Sequence, residues 1–476
     1  MSLTDALRRT LSPRQRPDWR AVVAAYLADP AEFWGPDAPR HADKLVAKKR
    51  AVHERDGLSD ADIVDAVVSM AAKRARGRPV PVYVTGLGGS GSHWVSGMLN
   101  DLGGLAAAGE VYVPQRLLDD LDALDDAEQA CAVDAIHLLH AWPRTTDVWA
   151  AGIVNCAAGV GKLRLAKRWD PRAVGIYLVR DPRDQVLSVT FRKMGFRQYE
   201  DPEASDADYL RRMAERNLAS YRQARSVSDL IDIRCRYEDL SDDPRPVLRQ
   251  VLQMLGREID ETVVERVAVL HDAETIRAGK GSTITNLDEG GQSASWRTVD
   301  PARQRTLHMH LVDVIHGLGY PPGDCMSPPL PDHALPTRTI RVPDGLAGHW
   351  FERADDLWTP LEVSDGTVAP TGGTPVLLRV GSGSGDLGAL EHCGPDDIQA
   401  LCVAANADVD DEALRHLRGL TGLRTLDLAR TAVTDAGLDH LKPLAALQQV
   451  HLAGTATTAQ GRARLAERMS QVTIWV

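Results

Sequence analysis

No CxxC pair, and no cysteine and histidine grouping at metal-ligand spacing, occurs in the 476-residue chain, whose six cysteines (Cys131, Cys156, Cys235, Cys325, Cys393 and Cys402) are scattered. That usage argues against a zinc site and a disulfide scaffold, and it is the pattern expected of reduced thiols in a cytoplasm. No run of about 18 apolar residues is present, so no helix is expected to span a membrane. The opening stretch MSLTDALRRTLSPRQRPDWR is charged throughout and lacks the apolar centre of a secretory signal. An excess of positive charge is also missing: 55 Lys and Arg against 66 Asp and Glu give a net charge of -11. A coat for nucleic acid or for an anionic membrane is therefore not expected, although a local basic pocket fits within an acidic total.

What is present is a soluble globular composition, 43% apolar and 25% charged, long enough for two or three domains. Residues 1–78 read as an N-terminal helical extension, with DWRAVVAAYLADP and SDADIVDAVVSMAAKRARG as amphipathic segments, the second opening on a Ser or Asp cap and closing at Gly77. From Pro79 the pattern changes to short apolar strands separated by helical stretches: PVYVTG, then VGIYLVR at 174–180, then IDIRCRYEDL at 231–240. Such alternation implies an α/β domain over 79–320, an open parallel sheet with helices on both faces. Ligands of such sheets bind beyond the carboxyl ends of the strands, where Thr85, Arg180 and Tyr237 fall.

A Pro-rich linker at 321–337 follows, then a short β-rich segment at 338–390. Over 391–476 a repeat emerges: Leu423, Leu426 and Leu428 return as Leu447, Val450 and Leu452, and Leu417 returns as Leu441 at the same interval of 24. Ile398, Leu401 and Val403 form an earlier copy one residue longer, and VTIWV reads as a last strand. LxxLxL units at this period resemble leucine-rich repeats, whose leucines form a core and whose strand face is available to a protein partner or a large acceptor.

The stretch TGLGGSGSHW at Thr85 has a phosphate loop's spacing from Gly86, but Ser92 and His93 stand where a nucleotide triphosphatase has Lys and Ser or Thr. Strand, glycine loop and helix in that order still form an anion site from backbone N–H groups alone. A second oxyanion site is suggested by IYLVRDPRDQVLSV, where Arg180 ends a strand, Pro182 opens a helix and Ser188 lies eight residues beyond the arginine. The competing reading pairs Arg180 with Asp181 or Asp184. CRYEDLSDDPRPVLRQVLQMLG and SASWRTVDPARQ add Tyr237, Trp296 and Arg297.

Together these elements resemble the sulfotransferase family that uses PAPS (3'-phosphoadenylyl sulfate). Ser90, Gly91, Ser92 and Trp94 match its first motif, Arg180 and Ser188 its second; YEDL followed by DP, and a late WR before a helix ending in LGY, are also similar. The resemblance covers about residues 79–320 and implies a P-loop-like fold with PAPS as co-substrate and no metal. It implies that Gly88, Gly89, Ser90, Gly91, Ser92 and His93 hold the 5'-phosphosulfate, and that Arg180 and Ser188 hold the 3'-phosphate with Arg297 and Lys280 at its rim. Trp94 would then stack on the adenine with Tyr237 nearby.

The chain departs from the family at Gly89, where a cation usually precedes the serine, and at Trp169, where a histidine base would stand after the basic stretch RLAKRW. Lys167 is the leading substitute cation; the competing reading is a solvated lysine on a basic strand or loop. For the base that takes the acceptor's proton, His93 and Glu110 rank ahead of His137 and His140, with Glu110 following the small-residue loop GGLAAAG. RAGKGSTITNLDEGGQSAS has the composition of a lid. Three readings remain open: a sulfotransferase acting on a small-molecule or carbohydrate acceptor, a P-loop kinase or NTPase, and a non-catalytic nucleotide-fold protein acting through its repeats.

Overall fold

The computed structural model describes residues 18–34, 39–77, 79–86, 88–141, 152–158, 160–192, 201–278, 295–320, 335–354, 357–381 and 386–476. Most of the expected lid, with Lys280, and most of the Pro-rich linker lie outside these. The chain divides into two compact units, one of residues 1–180 and 219–293, the other of 181–218 and 294–476. None of the described helices is long and apolar enough to cross a membrane.

The first unit begins with helices α1 (Trp19–Ala28), α2 (Pro30–Trp34), α3 (Pro39–Asp56) and α4 (Asp60–Arg74). Ser59 caps α4 through a reciprocal box, its side chain accepting from the Asp62 N–H while the Asp62 carboxylate accepts from the Ser59 N–H. Then follow β1 (Val82–Gly86), α5 (Ser92–Asp101), β2 (Leu105–Gly109), α6 (Gln115–Asp122), α7 (Asp126–Ala141), β3 (Gly152–Ala158), α8 (Lys162–Trp169) and β4 (Val174–Val179). After the excursion into the second unit come β5 (Ile233–Arg236) and four helices that close the unit.

The five strands form one parallel sheet in the order β2-β3-β1-β4-β5. Central parallel strands are covered on both faces, which is why Val82 and Val84 on one face of β1 and Tyr83 and Thr85 on the other are all buried. One face packs with Trp94, Met98 and Leu99 of α5 and with Leu248 and Val264 of later helices. On the other side Ala106, Ala108 and Ile153 share a core with α1, α4 and α7. Two elements differ from the sequence reading. LAAAG is strand β2, not a loop, because burial between sheet neighbours and helices outweighs the weak β-propensity of alanine. RLAKRW belongs to helix α8, not to a strand or loop.

Between β4 and β5 run α9 (Pro182–Leu187) and α10 (Asp206–Ser226); α11 (Tyr237–Asp242), α12 (Arg245–Met254), α13 (Glu261–Leu270) and α14 (Ala273–Arg277) follow β5. The second unit contains α9, α15 (Pro301–Gly317) and a seven-stranded sheet ordered β14-β13-β12-β11-β10-β7-β8. β7 (Gly348–Ala354) and β8 (Leu357–Leu361) are antiparallel; β10 (Val376–Val380), β11 (Ala400–Cys402), β12 (Thr425–Asp427), β13 (Gln449–His451) and β14 (Thr473–Trp475) run parallel. A small ribbon pairs β6 (Ile340–Arg341) with β9 (Thr367–Val368). Leu401, Leu426 and Val450 point from successive strands into one core with Leu417, Leu441 and Leu465, the last on α16 (Ala459–Arg468). Asp411 and Asp435 splice the turns, each accepting from the N–H and hydroxyl of a threonine 23 residues on, Thr434 and Thr458.

Candidate functional site

The carboxyl end of β1 leads into the glycine loop, whose geometry depends on backbone that only glycine adopts readily. Gly89 and Gly91 have φ of 88° and 96°, and Gly91 is the N-cap of α5 without offering a side-chain cap. The first-turn N–H groups of a ten-residue helix thus meet the loop without the usual Ser or Asp oxygen. Ser90 is fully buried and its Oγ has no hydrogen-bond partner. A buried, unsatisfied hydroxyl is costly in isolation, and it fits a ligand oxygen that would satisfy it.

Arg180, at the end of β4, is 4% exposed and donates from Nη1 to the Gly89 carbonyl at 3.0 Å. Its guanidinium lies 4.4 Å from the centre of the Tyr237 ring. That ring also packs beneath the loop: a Cβ on Gly91 would come within 2.9 Å of it. Tyr237 therefore supports the loop from below. Trp94 packs on Tyr237 at 5.4 Å between ring centres and donates its indole N–H to the His271 carbonyl at 3.1 Å. It borders a cleft of about 250 Å³ whose lining includes Leu240, Pro244, Val269 and Thr275 but not Tyr237. Tyr237 thus lies beside Trp94 and beneath the loop at once.

Across the loop mouth, His93 Nε2 stands 3.7 Å from Glu110 Oε1, which follows β2. Its neighbours Cys156 and, after it, Glu110 push the imidazole of His93, a side chain largely open to solvent, up to about 10. Chiefly through His93, and then through the Tyr112 hydroxyl at 3.0 Å and the charge of Lys44, Glu110 is held at about 2 despite desolvation. Both shifts favour imidazolium and carboxylate, which argues against His93 as the neutral base expected from the sequence. Lys162, at the start of α8 beyond the end of β3, lies 4.3 Å from the Tyr112 ring centre. Burial pushes its ammonium down while the Glu110 charge pulls it up.

Lys167 is elsewhere. Helix α8 carries it to the amino edge of the sheet, where it meets Asp232 at 2.6 Å; the same carboxylate accepts from the Gly175 N–H at 2.7 Å. It cannot replace the cation absent at Gly89. His137 and His140 are buried on α7, and His137 Nε2 lies 2.7 Å from the Asn155 side chain, so both belong to the packed interior of the first unit. Sequence reasoning missed Lys162 even though GVGK directly follows a strand; Tyr112 and Cys156 carried no local signal.

In the second unit, Asp181 caps α9 and takes Arg183 in a two-pronged pair at 2.9 and 2.7 Å. Arg183 in turn lies 3.7 Å from the Trp296 ring centre. Asp184, fully buried, accepts from the Ser295 hydroxyl at 2.7 Å and the Trp296 N–H at 2.9 Å. Asp184 ties the helix that ends at Ser188 to the turn bearing Arg297, whose buried Nε has no hydrogen-bond partner.

Three solved structures are similar at low identity. A mouse sulfotransferase complexed with PAP is 12% identical, covering 52% of this chain and 90% of its own, with a TM-score of 0.35. A sulfotransferase from Mycobacterium avium is 13% identical over 65% of this chain and 93% of its own, TM-score 0.34. The sulfotransferase domain from the curacin biosynthetic pathway is 17% identical over 52% and 99%, TM-score 0.29. No curated protein matches the chain. Residues 81–261, which carry the parallel sheet, the glycine loop and the His93 and Glu110 pair, match the model of the Sulfotransferase family.

Proposed function

We propose that this chain moves a sulfuryl group from PAPS to a hydroxyl or amine of a small-molecule or carbohydrate acceptor, without a metal. The observation that carries the reading is the glycine cradle: an α5 N-terminus without a side-chain cap beside the buried, unpartnered Ser90 hydroxyl. It suits phosphate or sulfonate oxygens and lacks the lysine of a nucleotide triphosphatase. Among the remaining expected ligands, Ser188 and Arg297 share one unit, and the unpartnered Arg297 Nε fits a 3'-phosphate. The cleft beside Trp94 is the proposed seat of the adenine.

The acceptor oxygen or nitrogen bonds to sulfur while the bond from sulfur to the 5'-phosphate oxygen breaks, its electron pair leaving with adenosine 3',5'-bisphosphate. His93 as imidazolium, together with Lys162, provides the positive charge that Gly89 does not. Glu110 keeps His93 charged, receives the acceptor's proton and, with its low proton affinity, passes it to water. The sheet's carboxyl edge and the fixed loop orient the two reactants. Residues 391–476 we read as leucine-rich repeats, on the 24-residue register of β12, β13 and β14.

The test is calorimetric titration with adenosine 3',5'-bisphosphate without metal, and with Mg-ATP, for the wild type and Arg180→Ala. Tight bisphosphate binding, weakened in the variant because the loop loses its buried brace, supports the reading. Binding of Mg-ATP alone, or of neither, overturns it.

A further inference from the structure

The strand face of the seven-stranded sheet is where a repeat array usually receives a partner. Here the chain's own helix α15 covers part of it. Val312 of α15 packs in one apolar cluster with Phe351, Leu377, Ala400, Cys402 and Ala429 from that face. One turn earlier, His308 Nε2 lies 2.8 Å from Asp427 Oδ2 of β12, with His308 3% exposed and Asp427 fully buried. The other Asp427 oxygen accepts from the Ala429 N–H at 2.9 Å. Asp427 lies in one cross-strand row with Arg379 of β10 and His451 of β13, and a buried carboxylate bonded to one helix fixes the position of that helix more sharply than apolar contact alone.

The same helix face continues toward Arg297. Gln304, four residues before His308 and hence one turn away, donates from Nε2 to the Arg297 carbonyl at 3.1 Å and to the Val299 carbonyl at 3.0 Å. From the opposite side the turn is held by Asp184, through Ser295 and the Trp296 N–H. An unbroken series of hydrogen bonds and helix backbone therefore joins the repeat strand β12 to the arginine read as a 3'-phosphate ligand.

We infer that the repeats act within their own chain: Asp427, through His308 and Gln304, is a positioning residue that sets the Arg297 turn and so tunes recognition of the donor's 3'-phosphate. The inference rests on the sulfotransferase reading for the role of Arg297. It gives the repeat sheet a function that needs no partner on this face.

The experiment compares adenosine 3',5'-bisphosphate with adenosine 5'-monophosphate, which lacks the 3'-phosphate, by titration of the full chain. The variants are Arg297→Ala, Asp427→Ala, Asp427→Asn and Gln304→Ala. Wild type is expected to prefer the bisphosphate, and Arg297→Ala to lose that preference. Asp427→Ala and Gln304→Ala are expected to lose about tenfold of the preference with monophosphate affinity unchanged, the scale of one hydrogen bond to a charged group. Asp427→Asn, which keeps an acceptor oxygen for His308, retains it. A merely structural role would weaken both nucleotides equally or neither, and either result overturns the inference. If Asp427→Ala does not fold, Gln304→Ala carries the test alone. A wild type without preference, or an Arg297→Ala without effect, sinks the reading of Arg297 and the inference with it; an intact preference lost only in Arg297→Ala sinks the inference alone.

Discussion

His93 Nε2 lies 3.7 Å from Glu110 Oε1, joining the first turn of α5 to the end of β2 across the mouth of the glycine loop. The His93 value is raised from 6.5 to about 10, so the stability it contributes is complete below 6.5 and is lost as pH rises through about 10. The Glu110 value is lowered from 4.5 to about 2, so its share is complete above 4.5 and is lost as pH falls through about 2. Transfer that relies on a charged His93 should run at a constant kcat from about pH 5 to about pH 9 and decline above. A neutral histidine base would instead give a kcat that falls below its own ordinary value, and a pH profile of kcat separates the two.

The two lysines of α8 should behave oppositely. Lys162→Met is expected to lower kcat/KM at least tenfold with unchanged stability, since its ammonium stands beside Tyr112 and the Glu110 charge. Lys167→Met should leave kcat/KM intact and cost about 1 kcal/mol, because Asp232 loses a part-buried partner far from the loop. Urea denaturation beside steady-state kinetics checks both. Equal activity losses would put Lys167 back at the site.

Ser90→Ala should shift stability and binding in opposite directions. Its hydroxyl is buried without a partner, so removal is expected to raise the stability of the ligand-free chain by about 1 kcal/mol. The same change should weaken adenosine 3',5'-bisphosphate severalfold. Thermal unfolding with and without the nucleotide shows both effects in one experiment: a higher Tm alone, and a smaller rise on adding ligand.

The glycine loop and strands β1, β4 and β5 were legible because their chemistry is local: VYVTG and VGIYLV are apolar runs bounded by turns, and IRCR alternates buried and more exposed residues. β2 and β3 were not, since alanine, glycine and asparagine carry little strand signal and their identity comes from the neighbours they pair with. At the site, the loop and Arg180 could be read from spacing. The surroundings of His93 could not, because Cys156 of β3 and Glu110 just after β2 reach it from elsewhere in the chain. Lys167 was misplaced for a related reason: one turn of helix decides which edge of the sheet a lysine serves, and helix α8 was not foreseen. The link between His308 and Asp427 spans 119 residues and left no trace in local pattern.

The loop backbone offers a paired test. Gly91 and Gly103 both have positive φ, 96° and 81°, so alanine at either pays for left-handed backbone, about 1 to 2 kcal/mol. At Gly103 nothing lies within 4 Å of the added Cβ, whereas at Gly91 it meets the Tyr237 ring at 2.9 Å. Tyr237 is 5% exposed and is packed by Trp94 and Arg180, so it cannot swing aside cheaply. Gly103→Ala is therefore expected to cost the backbone term alone and to leave bisphosphate affinity unchanged. Gly91→Ala should cost about 1 to 3 kcal/mol more, the usual range for overpacking, and weaken the bisphosphate at least tenfold as the α5 N-terminus shifts. Equal stability losses in the two variants would mean that the ring yields; equal affinities would mean that the first turn of α5 does not touch the ligand.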